Sequence, residues 1–342
     1  MSVGGDSLDV AGGLQRLADR MEATSGQLSE GIDGLPSPGT VDHLLILATG
    51  PGAIAAEVVR AAASGESPVP IVVHEHRELP GFVSRRTLAV AIGTVADDEL
   101  LDAATEAERA GASLVVISLD DPLADLAAQW DVPCCRLEPA ATADLVAYEA
   151  VAALVAVMAE AQLFATGWAD LQEAIGQVRL RTSKTIADPG PVEQLAHRIG
   201  RGFPLIQGGG ELGAAAARWW KRSVNVMAKA PSWASAIPPA WHDEVAGWGQ
   251  HGDVTRQLFQ LVVLRHEMEH PQLAASYTAL QDWQLEVMGG LYEVWAEGEV
   301  ALAQGLDLMV QGSRLAWQLA IDAGVDPGPV PVVDAMLRGQ PS

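Results

Sequence analysis

The chain contains little cysteine and little positive charge. Its 342 residues include two cysteines, the adjacent Cys134 and Cys135, and one neighbouring pair does not make a disulfide framework, so free thiols and a cytoplasmic protein are expected. Lys and Arg number 21 against 44 Asp and Glu, which gives a net charge of -23. Such a surface repels polyanions, and no nucleic-acid partner is expected.

A membrane-spanning run is also lacking. The longest apolar stretch, Leu145 to Ala165, is interrupted by Glu149 and Glu160, which leaves about half of the ~20 apolar residues that a span needs. It predicts a buried helix and no membrane partner. Residues Met1 to Asp9 show no basic start and no apolar run, so no secretory signal or transit peptide is predicted.

What is present is an alternation of strands and helices. A helical pattern covers Leu14 to Leu28, and a strand pattern at Leu44 to Ala48 is followed by Thr49-Gly50-Pro51-Gly52 and a helical pattern from Ala53 to Ala63. Further strand patterns are Pro70 to Val73, Leu88 to Ile92 (before a helix from Asp97 to Arg109) and Leu114 to Ile117 (before a helix from Pro122 to Gln129). This order predicts a parallel α/β sheet.

A second core begins after a polar segment. Residues Arg181 to Pro191 hold two prolines and a glycine, and then Phe203 to Ile206 lead through Gln207-Gly208-Gly209-Gly210 into a helix from Glu211 to Met227. The sequence predicts two related α/β halves, with a mostly helical pattern from Val254 onward. The predicted parts are a helical segment 1–38, a domain 39–165, a linker 166–191 and a domain 192–342.

Both glycine turns follow the carboxyl end of a strand, where open α/β sheets bind ligands and where a helix offers free amides to an anion. Neither turn is a G-x-G-x-x-G fingerprint or a G-x-x-x-x-G-K-[ST] phosphate loop. No nucleotide or other cofactor is therefore expected. A plain tight turn is an open alternative.

A possible metal motif lies at His266-Glu267-Met268-Glu269-His270, which matches H-E-x-x-H. On a helix, this spacing places two histidines on one face to bind zinc and supplies a glutamate as base. Glu269 and Pro271 are unusual for such a helix, and Glu286 or Glu293 would have to be the third ligand. A polar helix end without metal is the favoured interpretation.

A possible general base is Glu244, in Ala240-Trp241-His242-Asp243-Glu244-Val245-Ala246-Gly247-Trp248. Desolvation by aromatic neighbours raises the pKa of a carboxyl group toward the range that suits a base. The alternative is a loop that only packs its tryptophans.

Four stretches resemble one family. They are Thr49-Gly50-Pro51-Gly52-Ala53-Ile54, Arg77 to Val83, Lys221 to Lys229 followed by His242 to Trp248, and Gly324-Val325-Asp326-Pro327-Gly328-Pro329-Val330. The third is the most specific: family members read approximately R-W-K-x-Q-I-N-E-N-A-K and then N-H-N-E-I-V-G-W. Over nearly its whole length the chain resembles the bifunctional phosphoglucose/phosphomannose isomerases, which consist of two SIS (sugar isomerase) domains.

The resemblance implies two parallel sheets flanked by helices, a homodimer, and an aldose to ketose conversion of a sugar phosphate or another carbohydrate derivative. Glu244 matches the family's base. His270 is the candidate for assisting ring opening, and His242 is the alternative. The expected substrate-binding residues are Gly50, Gly52, Gly93, Thr94, Asp98, Gly208, Gly209, Gly210 and Lys229.

Several side chains of the family's motifs are missing from this sequence. Gly52 replaces the serine of G-M-G-G-S-A, and the S-Y-S-G-N-T motif has become Gly93-Thr94-Val95-Ala96-Asp97-Asp98. The arginine of P-R-A-A falls in Pro139-Ala140-Ala141, the threonine of D-P-T-P-V is Gly328, and the glutamate of N-E-N-A-K is Val226.

These losses favour a pseudo-isomerase that binds a sugar derivative, similar to the TobH-like branch associated with amino-sugar antibiotic pathways. An active isomerase for a less anionic substrate, or for one bridged to Asp97 and Asp98 by a cation, is the second hypothesis. A zinc hydrolase is the third.

Overall fold

The protein is described by a computed structural model that covers residues 5–95, 97–119, 121–183, 190–250 and 253–337. The chain divides into two compact units. The first-sheet unit comprises Arg16–Gly176 and Val330–Ser342, and the second-sheet unit comprises Met1–Gln15 and Gln177–Pro329.

The described elements alternate along most of the chain. The strands are β1 (His43–Ala48), β2 (Ile71–His74), β3 (Thr87–Gly93), β4 (Ser113–Ser118), β5 (Cys134–Arg136), β6 (Phe203–Gly209), β7 (Trp233–Ile237), β8 (Phe259–Arg265) and β9 (Gly290–Trp295). The helices are α1 (Val10–Gln15), α2 (Leu17–Leu28), α3 (Gly50–Ala63), α4 (Asp98–Arg109), α5 (Pro122–Trp130), α6 (Ala143–Glu160), α7 (Gly167–Ser183), α8 (Pro191–Ile199), α9 (Gly210–Ser223), α10 (Glu244–Gly247), α11 (Asp253–Leu258), α12 (Pro271–Val287), α13 (Ala301–Asp322) and α14 (Pro331–Leu337). A π-helical turn (Val224–Ala228) continues α9, and a 3-10 helix (Pro239–His242) precedes α10.

The first sheet has the strand order β2-β1-β3-β4-β5, and all of its pairs are parallel. Its central strands β1 and β3 are buried along nearly their whole length, as expected for a parallel sheet covered on both faces. Helix α6 is buried on all sides over most of its length, which confirms the buried helix predicted in this region.

The second sheet has the order β7-β6-β8-β9 and is also parallel. On one face, Leu205, Ile237 and Val263 pack with Tyr277 of α12. On the other face α9 lies very close to β6: an ideal Cβ on Gly208 would lie 1.8 Å from the carbonyl oxygen of Gly213. The two fold units confirm the predicted α/β class with two parallel sheets.

Some details differ from the prediction. The predicted helical C-terminal segment is present as α11 to α14, but the region from Val254 onward also contains β8 and β9, short apolar runs whose periodicity does not separate strand from helix. Helix α7 occupies most of the segment predicted as a linker, and the predicted N-terminal segment holds α1 and α2, which belong to different units. The predicted limits 39–165 and 192–342 stay a prediction.

Neither Cys134 nor Cys135 forms a disulfide within the described residues. Among the helices of the described residues, none has the length and apolar character that crossing a membrane requires.

Candidate functional site

The first candidate site lies at the carboxyl ends of β1 and β3. Strand β1 has β2 as its neighbour on one edge and β3 as its neighbour on the other edge, so the chain passes from β1 to β2 and then crosses β1 to reach β3. Such a switch point opens a crevice in which α/β proteins bind ligands. The predicted residues Gly50, Gly52, Gly93 and Thr94 all lie at this crevice.

Helix α3 begins in the crevice at Gly50-Pro51-Gly52, of which Pro51 has no amide hydrogen to donate. Its N-cap residue Thr49 makes no side-chain cap hydrogen bond, and Gly50 has a positive φ of 55°. The hydroxyl of Thr94 faces this turn, since an ideal Cβ on Gly52 would lie 3.4 Å from Thr94 Oγ1. Thr94 is 3% exposed, and within the described residues its Oγ1 has no hydrogen-bond partner. Amides and a buried hydroxyl therefore converge where an anionic or hydroxylated group can bind.

Helix α4, which follows β3, differs from α3 because the side chain of its own N-cap residue, Asp97, bonds to one of its first amides. The Asp97 carboxylate accepts a hydrogen bond of 2.9 Å from the amide of Glu99, and Asp98, the first residue of the helix, is exposed. Two carboxylates therefore stand at the turn where the family presents hydroxyls.

Gly93, the last residue of β3, packs against Ser118, whose side chain is hydrogen-bonded to Asp121. An ideal Cβ on Gly93 would lie 2.4 Å from Ser118 Oγ, which bonds to the Asp121 carboxylate at 2.9 Å. Asp121 in turn accepts from the amide of Leu123 at 3.1 Å and so caps α5. Glycine at position 93 is thus explained by packing.

The second glycine turn ends β6 and begins α9. Gly210, the first residue of α9, has a positive φ of 64°. The carbonyl oxygen of Gly209 accepts a hydrogen bond of 2.9 Å from His266 Nε2. The turn is therefore tied to the end of β8.

Glu244 is the first residue of α10, and its carboxylate is held by β7. Ser235 Oγ lies 2.7 Å from Glu244 Oε1 and 2.6 Å from Oε2 and donates to this carboxylate. Glu244 is exposed, so the predicted desolvation by its aromatic neighbours is wrong. Those neighbours pack elsewhere: Trp248 stacks on Trp283.

His266 and His270 do not lie on one helical face, as the H-E-x-x-H zinc motif would require. His266 follows strand β8 and is buried, whereas His270 is exposed, caps α12 and accepts from the amide of Gln272 at 3.2 Å. The H-E-x-x-H residues therefore form a strand end and a loop, without the helical face that zinc binding requires. Among the described residues, no three or more His, Cys, Asp or Glu are grouped to hold a metal.

The other candidate histidine, His242, ends the 3-10 helix and is exposed. In the part of the chain that the structure describes, no hydrogen bond joins Glu244 to His242 or His270. Lys229 adopts a left-handed backbone with φ 52° and donates from Nζ to the carbonyl oxygen of Asp326 at 2.7 Å. Partial burial lowers the pKa of Lys229. In this arrangement the Lys229 ammonium anchors the Asp326 loop.

An ionic cluster lies beside the second glycine turn, with the side chains of Arg265 and Glu269 buried and that of Glu293 exposed. The Arg265 guanidinium donates to Glu269 at 3.0 Å and to Glu293 at 2.9 Å, and it lies 4.4 Å from the ring centre of Tyr277 and 4.5 Å from that of Trp295. Burial and the nearby Glu269 carboxylate raise the pKa of Tyr277 above its usual range. The phenol therefore keeps its proton.

A cavity of about 510 Å³ lies elsewhere in the second-sheet unit, between α8 and the edge strand β9. Its walls include Arg181, Arg198 and Trp295 but none of the predicted catalytic or substrate-binding residues.

Sequence reasoning missed Ser235, Gln207 and Tyr277. Gln207 carried a usable signal, because a polar residue at the end of an otherwise apolar strand pattern is unusual. Ser235 and Tyr277 carried none, because β7 and the packing of α12 were not predicted.

Comparisons with known proteins agree with this fold. Residues 189–338 match the family model of the bacterial phospho-glucose isomerase C-terminal SIS domain. The chain is 22% identical over 307 residues to the bifunctional phosphoglucose/phosphomannose isomerase of Caldicellulosiruptor bescii, which covers 86% of this chain and 88% of that protein.

Two solved structures share the fold. The C-terminal domain of glucosamine-fructose-6-phosphate aminotransferase from Francisella tularensis aligns with a TM-score of 0.64 at 14% identity, covering 93% of this chain and 98% of that one. A glucose-6-phosphate isomerase like protein from Thermus thermophilus aligns with a TM-score of 0.56 at 20% identity, covering 95% and 96%. With its SIS folds and the Lys221 to Trp248 motif, the chain is thus similar to the bifunctional phosphoglucose/phosphomannose isomerases, and residues 189–338 match the C-terminal SIS domain of the bacterial phospho-glucose isomerases.

Proposed function

We propose that this protein binds a carbohydrate derivative, holds phosphate weakly and is a pseudo-isomerase. The observation that carries the proposal is the crevice of the first-sheet unit. There the start of α3, which the Thr49 side chain does not cap, and the buried Thr94 hydroxyl, which has no hydrogen-bond partner among the described residues, face the same point. A buried hydroxyl without a partner is unfavourable unless a ligand or water satisfies it.

The weak phosphate binding follows from the second helix at the crevice. The Asp97 carboxylate already accepts the hydrogen bond that the start of α4 would give to a phosphate. Asp97 and Asp98 also repel a dianion, and a like-charge pair near contact costs on the order of a few kcal/mol at a partly exposed site. A neutral or less anionic group suits the crevice better.

The proposed loss of isomerisation rests on groups that stabilise the transition state. Gly328 occupies the position of the family's threonine, and an ideal Cβ there would lie 2.8 Å from Leu8. A threonine side chain would therefore not fit without displacing Leu8. Ala140 stands in the segment that holds the family's arginine. Without these positioning groups, a general base loses most of its effect on the rate of the reaction.

An active isomerase is the second candidate, and the geometry of Glu244 favours it. Its carboxylate is exposed, and Ser235 fixes its orientation at 2.6 to 2.7 Å. Under this alternative Glu244 is the base for a sugar or sugar phosphate, and Glu244→Gln abolishes turnover.

Thermal-shift measurements test the proposal with glucose 6-phosphate, fructose 6-phosphate, glucose and inorganic phosphate. We expect at least one of the two sugar phosphates to raise Tm in the wild type and Thr94→Val to remove this rise. Thr87→Val is the matched control, since Thr87 is also fully buried in β3 but its hydroxyl accepts from the amide of Ser84 at 3.1 Å. A rise induced by a sugar phosphate that survives in Thr94→Val would contradict the proposed crevice.

We also propose that the protein is a homodimer, because the family completes its sites across a subunit interface. Light scattering at micromolar concentration should give twice the mass of 35.9 kDa. A monomer would remove the shared-site arrangement and leave the crevice untouched.

A further inference from the structure

At one face of the second sheet, three buried polar groups have no hydrogen-bond partner among the described residues. Gln207 is 0% exposed, and within the described residues neither its Nε2 nor its Oε1 has a hydrogen-bond partner. The Tyr277 hydroxyl and Trp241 Nε1 are also buried without a partner in that part of the chain. Buried polar groups are nearly always hydrogen-bonded, so a cluster of such groups points to a ligand or bound water.

These side chains share one side of the sheet. In register, Gln207 of β6 lies between Ser235 of β7 and Val263 of β8, and parallel neighbours in register point to the same face. Val263 and Leu205, two residues before Gln207, belong to the cluster that packs on Tyr277. Gln207 therefore faces α12.

Tyr277 and Trp241 approach this face from the elements that cover it. The Tyr277 hydroxyl lies 3.1 Å from an ideal Cβ on Gly209, which points to the same face two residues after Gln207. The Trp241 ring meets the Tyr277 ring edge-on, with 5.4 Å between centroids. The Glu244 carboxylate, bonded to Ser235, lies at the border of the cluster.

The chemistry of the cluster selects its ligand. The Gln207 amide and the protonated Tyr277 phenol both donate and accept, and the Trp241 indole donates. The nearby carboxylates of Glu269 and Glu293 outnumber the single Arg265 guanidinium between them. A phosphate would be repelled there, whereas a hydroxyl, which both donates and accepts, matches these groups without a charge.

We propose that Gln207, Tyr277 and Trp241 form a second binding site, which takes the hydroxyl groups of a neutral polyol or sugar. Segment 239–248, which carries Trp241 and Glu244, covers this site and moves to admit the ligand. Its backbone hydrogen bonds run between near neighbours, as from Trp241 to Pro238 and from Trp248 to Val245. The site goes beyond the proposed function, because it uses no residue of the crevice at Thr94.

Stability gives the first test, because a buried binding residue whose hydrogen-bonding groups are unsatisfied lowers the stability of the ligand-free protein. Gln207→Leu keeps the shape and removes the unpaired amide, so we expect Tm to rise by roughly 2 °C. Gln304→Leu is the matched control. Gln304 is also 0% exposed, but it accepts from the amide of Glu267 at 2.8 Å and donates to the carbonyl of Gly298 at 2.8 Å. We expect Gln304→Leu to lower Tm, and an equal loss in Gln207→Leu would overturn the proposal.

Binding gives the second test, by saturation-transfer NMR with D-glucose as the neutral probe and glucose 6-phosphate as the anionic one. We expect D-glucose to bind the wild type, with affinity falling about tenfold or more in Gln207→Leu and Tyr277→Phe and staying unchanged in Thr94→Val. Tyr277→Phe keeps the test valid if Gln207→Leu folds poorly. No binding of D-glucose to the wild type would overturn the proposal. Loss of binding in Thr94→Val alone would overturn it while supporting the crevice.

Discussion

The two glycine turns of the molecule are similar in sequence but have different structural roles. In the first-sheet unit, a Cβ on Gly52 would meet Thr94 at an ordinary contact distance of 3.4 Å. In the second-sheet unit, a Cβ on Gly208 would lie 1.8 Å from the carbonyl oxygen of Gly213. The first turn leaves room beside a buried hydroxyl, and the second lets a helix pack directly on a strand. A glycine turn after a strand therefore indicates a ligand site only where the space beside it is not filled by the fold.

The largest expected difference between the turns is in stability. Gly208→Ala should lower the free energy of unfolding by about 3 kcal/mol or more, because two backbone segments must separate to admit the methyl group. Gly52→Ala should change it by about 1 kcal/mol at most, toward higher stability, because Gly52 lies in the first turn of α3 and has room. Urea unfolding of the two variants measures both values. Similar losses in both would remove the distinction between the turns.

The next effect concerns ligand affinity at the first turn. Asp98→Thr combined with Val95→Ser and Gly52→Ser should strengthen binding of glucose 6-phosphate and fructose 6-phosphate at least tenfold, or ~1.4 kcal/mol. The triple variant removes a negative charge and restores hydroxyls at the crevice. Calorimetric titration measures the change, and Glu106→Thr, which removes an exposed carboxylate farther along α4, controls for net charge. An unchanged affinity in the triple variant would mean that phosphate does not bind at this turn.

A smaller effect compares the two helix N-termini at the crevice. Asp97→Ala should lower the free energy of unfolding by about 1 kcal/mol, because Asp97 caps α4. Thr49→Ala should lower it by less than about 0.5 kcal/mol, because the Thr49 side chain does not cap α3. Urea unfolding of the two variants measures both free energies of unfolding. An equal loss in both variants would show that α3 is capped as well and is not open to a ligand.

The smallest effect is a pH dependence from the first-sheet unit. Burial, only partly offset by Arg20, raises the pKa of Glu149 above its ordinary value of 4.5. A raised pKa in the folded state means that this group's contribution to stability is fully present below pH 4.5 and is lost as the pH rises through the folded-state pKa.

Glu149→Gln should therefore remove part of the stability that the wild type gains on acidification from pH 7 toward 4.5. Urea unfolding at several pH values measures this difference. An identical pH profile in the variant would contradict the assigned shift.

The sequence predicted the strands whose apolar runs are continuous and are followed by a helix signal, such as Leu44 to Ala48. It did not predict β8, because Phe259 to Arg265 is too short to separate strand from helix by periodicity. At the site, motif spacing located Gly52, Thr94 and Glu244. It could not give the surroundings of Glu244, or show that Gln207 has no hydrogen-bond partner among the described residues, because both depend on contacts between distant elements.

The most direct measurement is a phosphorus NMR titration of the wild type with glucose 6-phosphate, which follows binding and conversion to fructose 6-phosphate in one sample. The account predicts binding weaker than about 100 µM, its loss in Thr94→Val, and no conversion that depends on Glu244. Micromolar binding together with conversion that Glu244→Gln abolishes would contradict it and establish the active isomerase instead.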